Sequence, residues 1–375
     1  MRKTIGKIIG IILFLVLCFL LIQVVKVAPL VYQYFFTKEI TLKQTTNHHI
    51  NLLLLGIGGG NHEGPNLTDS IIFASIDPNK NAATLVSLPR DLWVPELDSK
   101  INAAYADGED KGKGKGLLLA SAMVSKILGQ QIDYAVRIDF SGFIKAVDLI
   151  GGVDVSVERT LDDYAYPIEG KEDDSCGLTE DQLKDFSAQV ATGSATELES
   201  YPCRYKHLHV DAGMQHMNGQ LALEFVRSRH AVGVEGSDFS RSRRQAKVLS
   251  AFRQKVLSPQ TLLNPVKLIS LYNALRENID TNIPDASFDD FLKLAQKMKG
   301  AKITSAVIDQ GDEQREELLV HPDISSEYNN AWVLIPKDGN GIYTGIQTYV
   351  SCVVSGKVCG MITPTPTPAP LKKSQ

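Results

Sequence analysis

Three short apolar segments, close together in the chain, constrain the fold most strongly. They are NLLLLGI at 51–57, SIIFASID at 70–77 and ATLVSLP at 83–89. Each has the length of a strand and is almost continuously apolar, which is typical of a strand that is buried on both faces. Three such strands in quick succession predict a central β-sheet.

Helical and strand patterns alternate after this region. Amphipathic periodicity predicts helices at 116–129, 141–152, 218–230, 237–257, 266–276 and 288–298. Alternation of apolar and polar residues predicts strands at 133–139, 153–158 and 207–210. Ser237 or Asp238 is the predicted N-cap of the fourth helix. The alternation predicts an α/β (mixed α+β) fold, in which helices flank the central sheet.

The N-terminus carries a candidate membrane anchor. Ile8 to Val25 is an apolar run interrupted only by Gly10 and Gln23, long enough as a helix to cross a bilayer. Basic residues precede the run and predict a cytoplasmic N-terminus: Arg2, Lys3 and Lys7. A cleaved signal peptide is the alternative, but the run is longer than a usual signal core, and no small-residue cleavage site precedes Lys26. We therefore expect a single-pass protein of the plasma membrane whose body is extracytoplasmic.

These patterns divide the chain into segments. We expect a cytoplasmic N-terminus at 1–7, a transmembrane helix at 8–25 and a stalk at 26–49. The extracytoplasmic domain follows at 50–335, with an acidic, Ser/Thr-rich insertion at 162–204 that we interpret as surface decoration. A C-terminal extension is expected at 336–361, and the Pro/Thr-rich segment 362–375 is expected to be a disordered tail. The net charge of −4 argues against a dedicated nucleic-acid binder.

The cysteines permit two disulfides in the exported part. Cys18 lies in the predicted anchor, which leaves Cys176, Cys203, Cys352 and Cys359. Sequence proximity favours pairing the first two and the last two, although four cysteines allow three pairings. Free buried thiols are the alternative if the exporting cell lacks an oxidising system.

Basic residues cluster in the second half of the domain, with two more upstream. They are Arg227, Arg229, Arg241, Arg243 and Arg244, and upstream Arg90 and Lys100. Guanidinium groups match phosphate oxygens in pairs, so converging arginines can clamp a pyrophosphate. Helical spacing places Arg241, Arg244 and Gln245 on one face, whereas Arg243 points elsewhere. A solvated basic helix face would give the same pattern, and so would a nucleic-acid patch.

Acidic residues and histidines supply candidate metal ligands. Asp69, Asp91 and Asp238 could hold a divalent cation beside the arginines, although a single aspartate is usually a turn or cap residue. His207 and His209 share one face of a strand, but no further residue at metal-ligand spacing accompanies them, so we interpret them as core or surface residues. The glycine-rich GIGGGNHEG segment lacks the ending of a nucleotide-binding loop, and its His62 and Glu63 are possible site residues.

A series of motifs resembles the LytR-CpsA-Psr family of cell-wall enzymes. The motifs are LLLLGIGG, LTDSII, SLPRDLWV, KINAAYADG, DFSGFIKAVDLIGGVDV, HVDAGMQHMNGQLALEFVRSRH and DFSRSRRQ. They occur in family order between Asn51 and Leu257. The resemblance implies a phosphotransferase that moves a glycopolymer from a polyprenyl-pyrophosphate carrier to peptidoglycan through a phosphodiester, with the membrane close by and no nucleic-acid partner.

The resemblance also implies roles for individual residues. The expected pyrophosphate contacts are Arg90, Lys100, Arg227, Arg229, Arg241, Arg244 and Gln245. Arg90, Asp91 and Arg229 are the expected catalytic residues. Asp69 and Asp238, with Glu63 as a further possibility, are the expected ligands of Mg²⁺ or Mn²⁺. The apolar helix around Phe143, Val147 and Ile150 is either a lining for the lipid or plain core.

Two positions depart from the family pattern. Many members carry an aspartate where this chain has Gly58, and an arginine where it has Leu67. The first difference puts metal binding by two carboxylates in question, and the second removes a phosphate contact. Glu63 or His62 is the candidate for compensation, and a metal-bound structure with neither near the ion would exclude this.

Three other functions remain open at the level of sequence. A polyprenyl-pyrophosphate hydrolase would use the same arginines with water as the nucleophile. A non-catalytic wall-glycan binding protein would use the Pro/Thr-rich tail to reach into the wall. A membrane-tethered transcription regulator would need the basic helix, which the predicted topology puts on the wrong side of the membrane for DNA.

Overall fold

A computed structural model describes most of the chain beyond residue 40. The described residues are 40–44, 48–60, 64–256, 258–262, 264, 267, 270–271, 273, 278–298, 300–311, 316–357 and 359. The predicted anchor, most of the stalk and of the helix at 266–276, His62, Glu63 and the Pro/Thr-rich tail lie outside them. Within the described part, no helix combines the length and the apolar character that a membrane span needs.

The described strands are short and lie mostly in the first two thirds of the chain. They are β1 (Ile50–Ile57), β2 (Thr68–Asp77), β3 (Ala82–Leu88), β4 (Trp93–Val94), β5 (Ser99–Lys100), β6 (Tyr134–Asp139), β7 (Val153–Val157), β8 (Leu161–Pro167), β9 (Tyr205–Val210), β10 (Gly213–Met217), β11 (Ile279–Thr281), β12 (Lys302–Val307), β13 (Leu319–Val320) and β14 (Ile335–Pro336). The three apolar segments are β1 to β3, as the sequence predicts.

The described helices surround these strands. They are α1 (Ala104–Asp110), α2 (Lys115–Leu128), α3 (Phe140–Leu149), α4 (Glu180–Ala191), α5 (Glu197–Ser200), α6 (Gly219–Arg227), α7 (Asp238–Val256), α8 (Pro259–Leu262), α9 (Phe288–Lys297) and α10 (Thr344–Val354). Ser237 caps α7, because its Oγ accepts a hydrogen bond from the Ser240 main-chain N–H at 3.2 Å.

A six-stranded mixed sheet forms the centre of the domain, in the order β11-β6-β1-β2-β3-β12. β1 pairs antiparallel with β2 and parallel with β6, which places β1 in the middle. On one face of β1, Leu53 and Leu55 enter the main core with α2 and α10. On the other face, Leu52 packs in a second cluster with Ala246 of α7. The fold is therefore the mixed sheet flanked by helices that the sequence predicts.

A second layer lies beside the sheet and carries much of the site. β7 pairs with β10, and β8 pairs with β9, so neither strand pair belongs to the central sheet. Their inner faces enclose a core with α3, α6 and α7. Val147 and Ile150 are buried in that core, at 0% and 1% exposure, which assigns this face of α3 to packing.

The insertion is narrower than the sequence indicates. Asp162 to Pro167 belong to β8, and Asp163 is completely buried at 0% exposure, so these residues are part of the domain body and are not decoration. The excursion proper follows β8 and contains α4 and α5. A disulfide between Cys176 and Cys203, with a Cα–Cα distance of 5.5 Å, closes it.

The C-terminal extension packs into the main core. Ile346 and Val350 of α10 are buried against the same cluster as β1. A second disulfide joins Cys352 to Cys359. Both bridges follow the pairing that sequence proximity favours. Upstream of α10, Leu334 is hydrogen-bonded to the turn after β3. Its N–H donates to the Asp91 carbonyl at 2.9 Å, and its carbonyl accepts from the Trp93 N–H at 2.8 Å.

Candidate active site

A cleft of about 340 Å³ opens at one end of the central sheet, between the sheet and the second layer. Its described lining consists of Gly58, Gly64, Leu67, Asp69, Ser70, Arg90, Asn102, Tyr166, Pro167, Val226, Arg227, Arg229, His230, Arg241 and Gln245. We call Asp69, Ser70, Arg90 and Asn102 the sheet wall. We call Val226, Arg227, Arg229, His230, Arg241 and Gln245 the helical wall. Four arginines and one carboxylate thus line this part of the cleft, which suits a multiply charged anion.

Strand ends position the sheet wall. Asp69 and Ser70 lie near the start of β2, and Arg90 follows the end of β3. Because the two strands are antiparallel, the start of β2 and the end of β3 lie side by side at the same end of the sheet. The turn that carries Arg90 is held by main-chain hydrogen bonds, including one from the Asn102 N–H to the Arg90 carbonyl at 3.3 Å. The adjacent Leu92 is fully buried. Arg90 therefore projects from a fixed turn.

An ion-pair network holds the Arg90 side chain. Its Nη1 donates to Asp69 Oδ1 at 2.6 Å, and its Nε lies 3.5 Å from Asp91 Oδ2. Lys100 Nζ donates to the other oxygen of Asp91 at 2.8 Å. Burial alone lowers the pKa of Arg90, but the hydrogen bond and charge of Asp69, together with Asp91, outweigh burial and raise that pKa. The network fixes a permanently charged guanidinium at the cleft.

Lys100 and Asp91 stand behind this wall. Neither belongs to the described lining, and both are engaged in the network around Arg90. The structure therefore brings them next to a site residue, where they position Arg90. The expected direct contact of Lys100 with the pyrophosphate has no support in this geometry, because its ammonium group is directed at Asp91.

The helical wall begins at the C-terminal end of α6. Asn218 caps this helix, since its side-chain oxygen accepts from the Leu221 N–H at 2.9 Å. α6 ends at Arg227, whose guanidinium carbon lies 4.0 Å from the centre of the Phe140 ring. Stacking on an aromatic face favours a planar cation and limits its rotation. Arg227 is thereby held at the cleft, at the point where α6 ends and the loop that carries Arg229 begins.

Asp163 anchors that loop from below. This completely buried carboxylate accepts hydrogen bonds through Oδ2 from Ser228 Oγ at 2.7 Å and from the His230 N–H at 3.2 Å. The two partners flank Arg229 in sequence. A buried carboxylate of β8 therefore fixes the backbone on both sides of a cleft arginine, which assigns Asp163 a positioning role.

Arg244 does not line the cleft, so its expected contact with pyrophosphate is corrected. Its guanidinium is buried at 3% exposure and donates to the main-chain oxygens of Phe225, Ser228 and Glu235 at 2.7 to 2.8 Å. It also donates to the Glu235 carboxylate at 3.1 Å. All three nitrogens are thus used inside the protein. Arg244 ties α7 to the end of α6 and to the loop before Arg229.

The first turns of α7 complete the helical wall. Arg241 and Gln245, one turn apart, line the cleft, as their predicted shared face requires. Gln245 Nε2 lies 3.5 Å from Ser70 Oγ and so connects the two walls. Arg243 lies on another face and pairs with Glu158 at 3.5 Å. The side chain of Asp238, in the first turn of α7, lies outside the described part, as do His62 and Glu63.

Several lining residues were absent from the sequence-based candidates. They are Ser70, Asn102, Tyr166, Pro167 and His230. Ser70 and Asn102 stand inside the LTDSII and KINAAYADG motifs, so position within the motifs could have found them. Tyr166 had no such signal because it was assigned to the insertion. Burial raises the pKa of Tyr166 to about 12, and its phenol, which is protonated at neutral pH like that of an ordinary tyrosine, can donate a hydrogen bond.

The two departures from the family pattern both lie in the cleft. Gly58 and Leu67 belong to the described lining, and neither offers a charged group. Leu67 packs against the glycine-rich loop, since a Cβ added to Gly64 would lie 2.6 Å from its Cδ1. Among the described residues, these two positions therefore contribute no charge to the cleft, where many family members are expected to carry a carboxylate and a guanidinium.

Comparison with known proteins decides the family. The LytR_cpsA_psr family model matches residues 33–330. The chain belongs to the LytR-CpsA-Psr family. The match confirms the resemblance carried by the motifs and extends it on both sides of the 51–257 region.

Two relatives share about a quarter of their aligned residues with this chain. The polyisoprenyl-teichoic acid–peptidoglycan teichoic acid transferase TagU of Bacillus cereus is 28% identical over 259 residues, 68% of this chain and 66% of the relative. The biofilm regulatory protein A of Streptococcus mutans is 26% identical over 251 residues, 63% of this chain and 50% of the relative. The chain thus matches between half and about two thirds of the length of these relatives.

Solved structures share the fold. The crystal structure of Bacillus subtilis TagV covers 82% of this chain and 96% of its own at a TM-score of 0.52 and 22% identity. A Streptococcus agalactiae protein covers 88% and 91% at a TM-score of 0.53 and 21% identity. The mixed sheet with flanking helices is therefore a fold that this chain shares with these two solved structures.

Proposed function

We propose that this protein is a membrane-anchored phosphotransferase that moves a glycopolymer from a polyprenyl-pyrophosphate carrier to peptidoglycan and forms a phosphodiester link. The observation that carries the proposal is the cleft, whose described lining holds four arginines from two separate walls and one carboxylate. Converging guanidinium groups bind the oxygens of a pyrophosphate in pairs. Relatives named as teichoic acid transferases support the same reaction class.

The reaction is a displacement at phosphorus. A sugar hydroxyl of peptidoglycan attacks the phosphorus that bears the glycan, a new P–O bond forms, and the bond to the bridging oxygen breaks. Polyprenyl phosphate leaves with that oxygen, and the hydroxyl proton passes to a base or to solvent. In such transfers the protein contributes mainly positioning and charge neutralisation. Arg90, Arg227, Arg229 and Arg241 supply that neutralisation.

The two walls divide this work. Arg90 is fixed by Asp69 and Asp91 before the substrate arrives, so it costs little reorganisation in the transition state. Asp69 is the one carboxylate of the described lining, and its pairing with Arg90 directs that guanidinium into the cleft. Asp91 acts through Arg90, and the protonated phenol of Tyr166 can donate to a phosphate oxygen.

The lining fits a divalent cation shared with the substrate. Asp69 uses Oδ1 for its bond to Arg90, and Ser70 beside it carries a hydroxyl. Mg²⁺ commonly binds through one or two carboxylates together with waters and substrate phosphates, so Asp69 is sufficient as the main protein ligand. Asp238 and Glu63 are further proposed ligands. When bound, Mg²⁺ or Mn²⁺ would neutralise charge on the pyrophosphate oxygens.

The proposed topology suits a lipid carrier. An uncleaved helix at 8–25 would hold the protein in the plasma membrane with the domain outside the cytoplasm. The pyrophosphate of a polyprenyl carrier lies at the membrane surface, within reach of a domain on a short stalk. The test is to introduce a cysteine into the domain and to treat intact cells with a thiol reagent that does not cross the membrane. Failure of that cysteine to react would contradict this topology.

The decisive experiment is a transfer assay with the full-length chain in detergent. The donor is a short-chain polyprenyl-pyrophosphate carrying an oligosaccharide, and the acceptor is a set of peptidoglycan fragments, with magnesium or with a chelator. We expect magnesium-dependent formation of a phosphodiester-linked product. Arg229→Ala should abolish it, whereas Arg243→Ala, which removes an arginine directed away from the cleft, should not.

The alternatives give different products in the same assay. Release of the oligosaccharide phosphate and lipid phosphate without ligation would identify a polyprenyl-pyrophosphate hydrolase. Binding of glycan that is indifferent to magnesium and to Arg90→Ala, without turnover, would identify a wall-glycan binding protein. Full transfer activity in Arg229→Ala would contradict the arginine clamp.

A further inference from the structure

A second cluster of ligating side chains lies on the outer face of the β8–β9 hairpin. Asp162 stands opposite His209 in the register of the two strands, and His207 lies two residues before His209 on the same face. Asp162 Oδ1 lies 2.7 Å from His209 Nδ1 and 2.9 Å from His207 Nε2. The pairing of strands thus supplies a third ligand that the spacing of the two histidines does not reveal.

The three groups converge as metal ligands do. One ligand atom from each of Asp162, His207 and His209 lies within 4.8 Å of the other two. A tetrahedral ion with bonds of about 2.0 to 2.1 Å needs ligand atoms roughly 3.3 Å apart. The distances from Asp162 Oδ1 to the two histidine nitrogens, 2.7 and 2.9 Å, would therefore need to lengthen by roughly half an ångström around an ion. The imidazoles are 43% and 47% exposed, so an ion can enter from solvent.

Neighbouring groups hold both imidazoles in place. The Tyr164 ring stacks on His207, with centroids 4.1 Å apart and planes 7° from parallel. Asp211 Oδ1 lies 3.2 Å from His209 Nε2, the ring nitrogen that faces away from Asp162. Without an ion, Nδ1 donates a proton to Asp162 Oδ1 at 2.7 Å; with an ion bound, a proton on Nε2 donated to Asp211 would leave the lone pair of Nδ1 for the metal. A carboxylate on the far nitrogen of a histidine is the usual support of a metal ligand.

We propose that Asp162, His207 and His209 form a binding site for a divalent transition-metal ion of the zinc class, with water completing the coordination. Two imidazoles and one carboxylate favour Zn²⁺, Ni²⁺ or Cu²⁺ over Mg²⁺, which prefers oxygen ligands alone. The site is separate from the magnesium site proposed at Asp69, which lies in the cleft on the other side of β8.

The site is connected to the helical wall through β8. The carbonyl of Asp162 accepts a hydrogen bond from the Val232 N–H at 2.8 Å. The next residue, Asp163, holds Ser228 and His230 on either side of Arg229. An ion bound on the outer face would link β8 to β9. It would thereby stabilise the strand whose inner face is hydrogen-bonded to the loop that carries Arg229.

The test uses the full-length chain without a histidine tag, stripped of metal by a chelator, with Zn²⁺ and Co²⁺ as probes. We expect one high-affinity Zn²⁺ site in a titration, and a Co²⁺ absorption spectrum typical of nitrogen and oxygen ligands. His207→Ala and His209→Ala should each weaken Zn²⁺ binding by at least about tenfold. Asp162→Asn, which keeps the side-chain shape, should weaken it similarly.

His216→Ala is the matched control. His216 also stands on a paired strand and bonds a cross-strand aspartate, with Nδ1 2.7 Å from Asp154 Oδ1, but it is outside the cluster. We expect this variant to bind Zn²⁺ as the parent does. Melting curves without metal, expected to be alike for all variants, show that the fold is retained.

Three results would overturn the assignment. The first is unchanged Zn²⁺ affinity in a His207→Ala/His209→Ala double variant. The second is an equal loss in His216→Ala, which would indicate scattered surface binding. The third is displacement of Zn²⁺ by millimolar Mg²⁺ together with loss of binding in Asp69→Asn, which would place the ion in the cleft. The site does not depend on the proposed transfer reaction, so each can fail alone.

Discussion

The two walls of the cleft present positive charge in different ways. On the sheet wall, Arg90 is matched by Asp69 and by Asp91, and Asp91 is shared with Lys100. On the helical wall, Arg227, Arg229 and Arg241 line the cleft, and Arg244 is buried behind them with Glu235. The sheet wall holds its arginine in an ion-pair network, and the helical wall brings three guanidinium groups to the cleft.

The difference teaches how a cleft can be both preorganised and attractive to an anion. A balanced network holds a guanidinium in one place but contributes little net field. The helical wall brings three guanidinium groups to the cleft, and buried groups behind it, Arg244 and Asp163, fix the backbone that carries them. Four predictions separate these contributions.

The largest expected effect is on stability. Arg244→Met removes the buried partner of Glu235, leaving only the half-exposed Arg159 at 3.6 Å, and takes the Arg244 hydrogen bonds away from three carbonyl groups. Breaking a buried pair from one side costs about 3 to 5 kcal/mol, so chemical denaturation should show a loss of that size. Arg90→Met is the comparison on the sheet wall. Its side chain is 39% exposed, and screening limits the expected loss to about 1 kcal/mol. Equal losses would remove the distinction between the walls.

The next effect is on turnover. Arg241→Ala removes a guanidinium from the helical wall, and the loss of one donor to a developing oxyanion typically lowers kcat by about 10²- to 10³-fold. Arg243→Ala, two residues away and paired with Glu158, should leave kcat within about twofold of the parent, because surface changes of this kind have small effects. The comparison uses initial rates in the transfer assay. Similar rates in the two variants would show that the face of α7 that lines the cleft does not contribute to catalysis.

A smaller effect is expected beneath the loop. Asp163→Asn weakens the bonds to Ser228 and His230 but keeps the size of the side chain. The loss of charge-assisted hydrogen bonds in a buried place predicts about 1 to 3 kcal/mol of destabilisation. Because the loop carries Arg229, donor affinity should fall as well, and hydrogen exchange of residues 228–230 should increase. Exchange that stays at the parental rate would mean that Asp163 does not hold the loop.

The smallest effect is a pH dependence above the neutral range. The folded state raises the pKa of Tyr166 to about 12 through burial, from an ordinary value of 10.0. A raised pKa means that its contribution to stability is complete below pH 10 and is lost as the pH rises toward 12. Tyr166→Phe should therefore lose less stability than the parent between pH 10 and 12, measured by denaturation at each pH. Identical pH profiles would show that other tyrosines dominate.

The sequence predicted much of the core framework from local patterns. The three apolar segments became β1, β2 and β3, and the amphipathic patterns became α2, α3, α6, α7 and α9 within a few residues of their predicted ends. These predictions worked because the burial of one or two faces imposes a period on the sequence. The arginine motifs placed Arg90, Arg227, Arg229, Arg241 and Gln245 correctly in one cleft.

Other features failed because they depend on contacts between distant segments. Helical spacing put Arg244 on the face of Arg241 and Gln245, but its long side chain turns inward to Glu235 and three carbonyls. Composition assigned Tyr166 to a surface insertion, although β8 brings it to the cleft. Spacing alone left His207 and His209 without a third ligand, and only the pairing of β8 with β9 adds Asp162.

The sequence by itself determined the family, the sheet, the principal helices and the identity of most cleft arginines, because periodicity and motif order are properties of neighbouring residues. The tertiary structure alone decided which charged side chains line the cleft and which are buried in ion pairs behind it. That choice depends on pairing across long stretches of chain, such as Arg90 with Asp69 and Arg244 with Glu235. Whether a charge is available to a ligand depends on the partners that the fold provides, and spacing along the chain does not encode them.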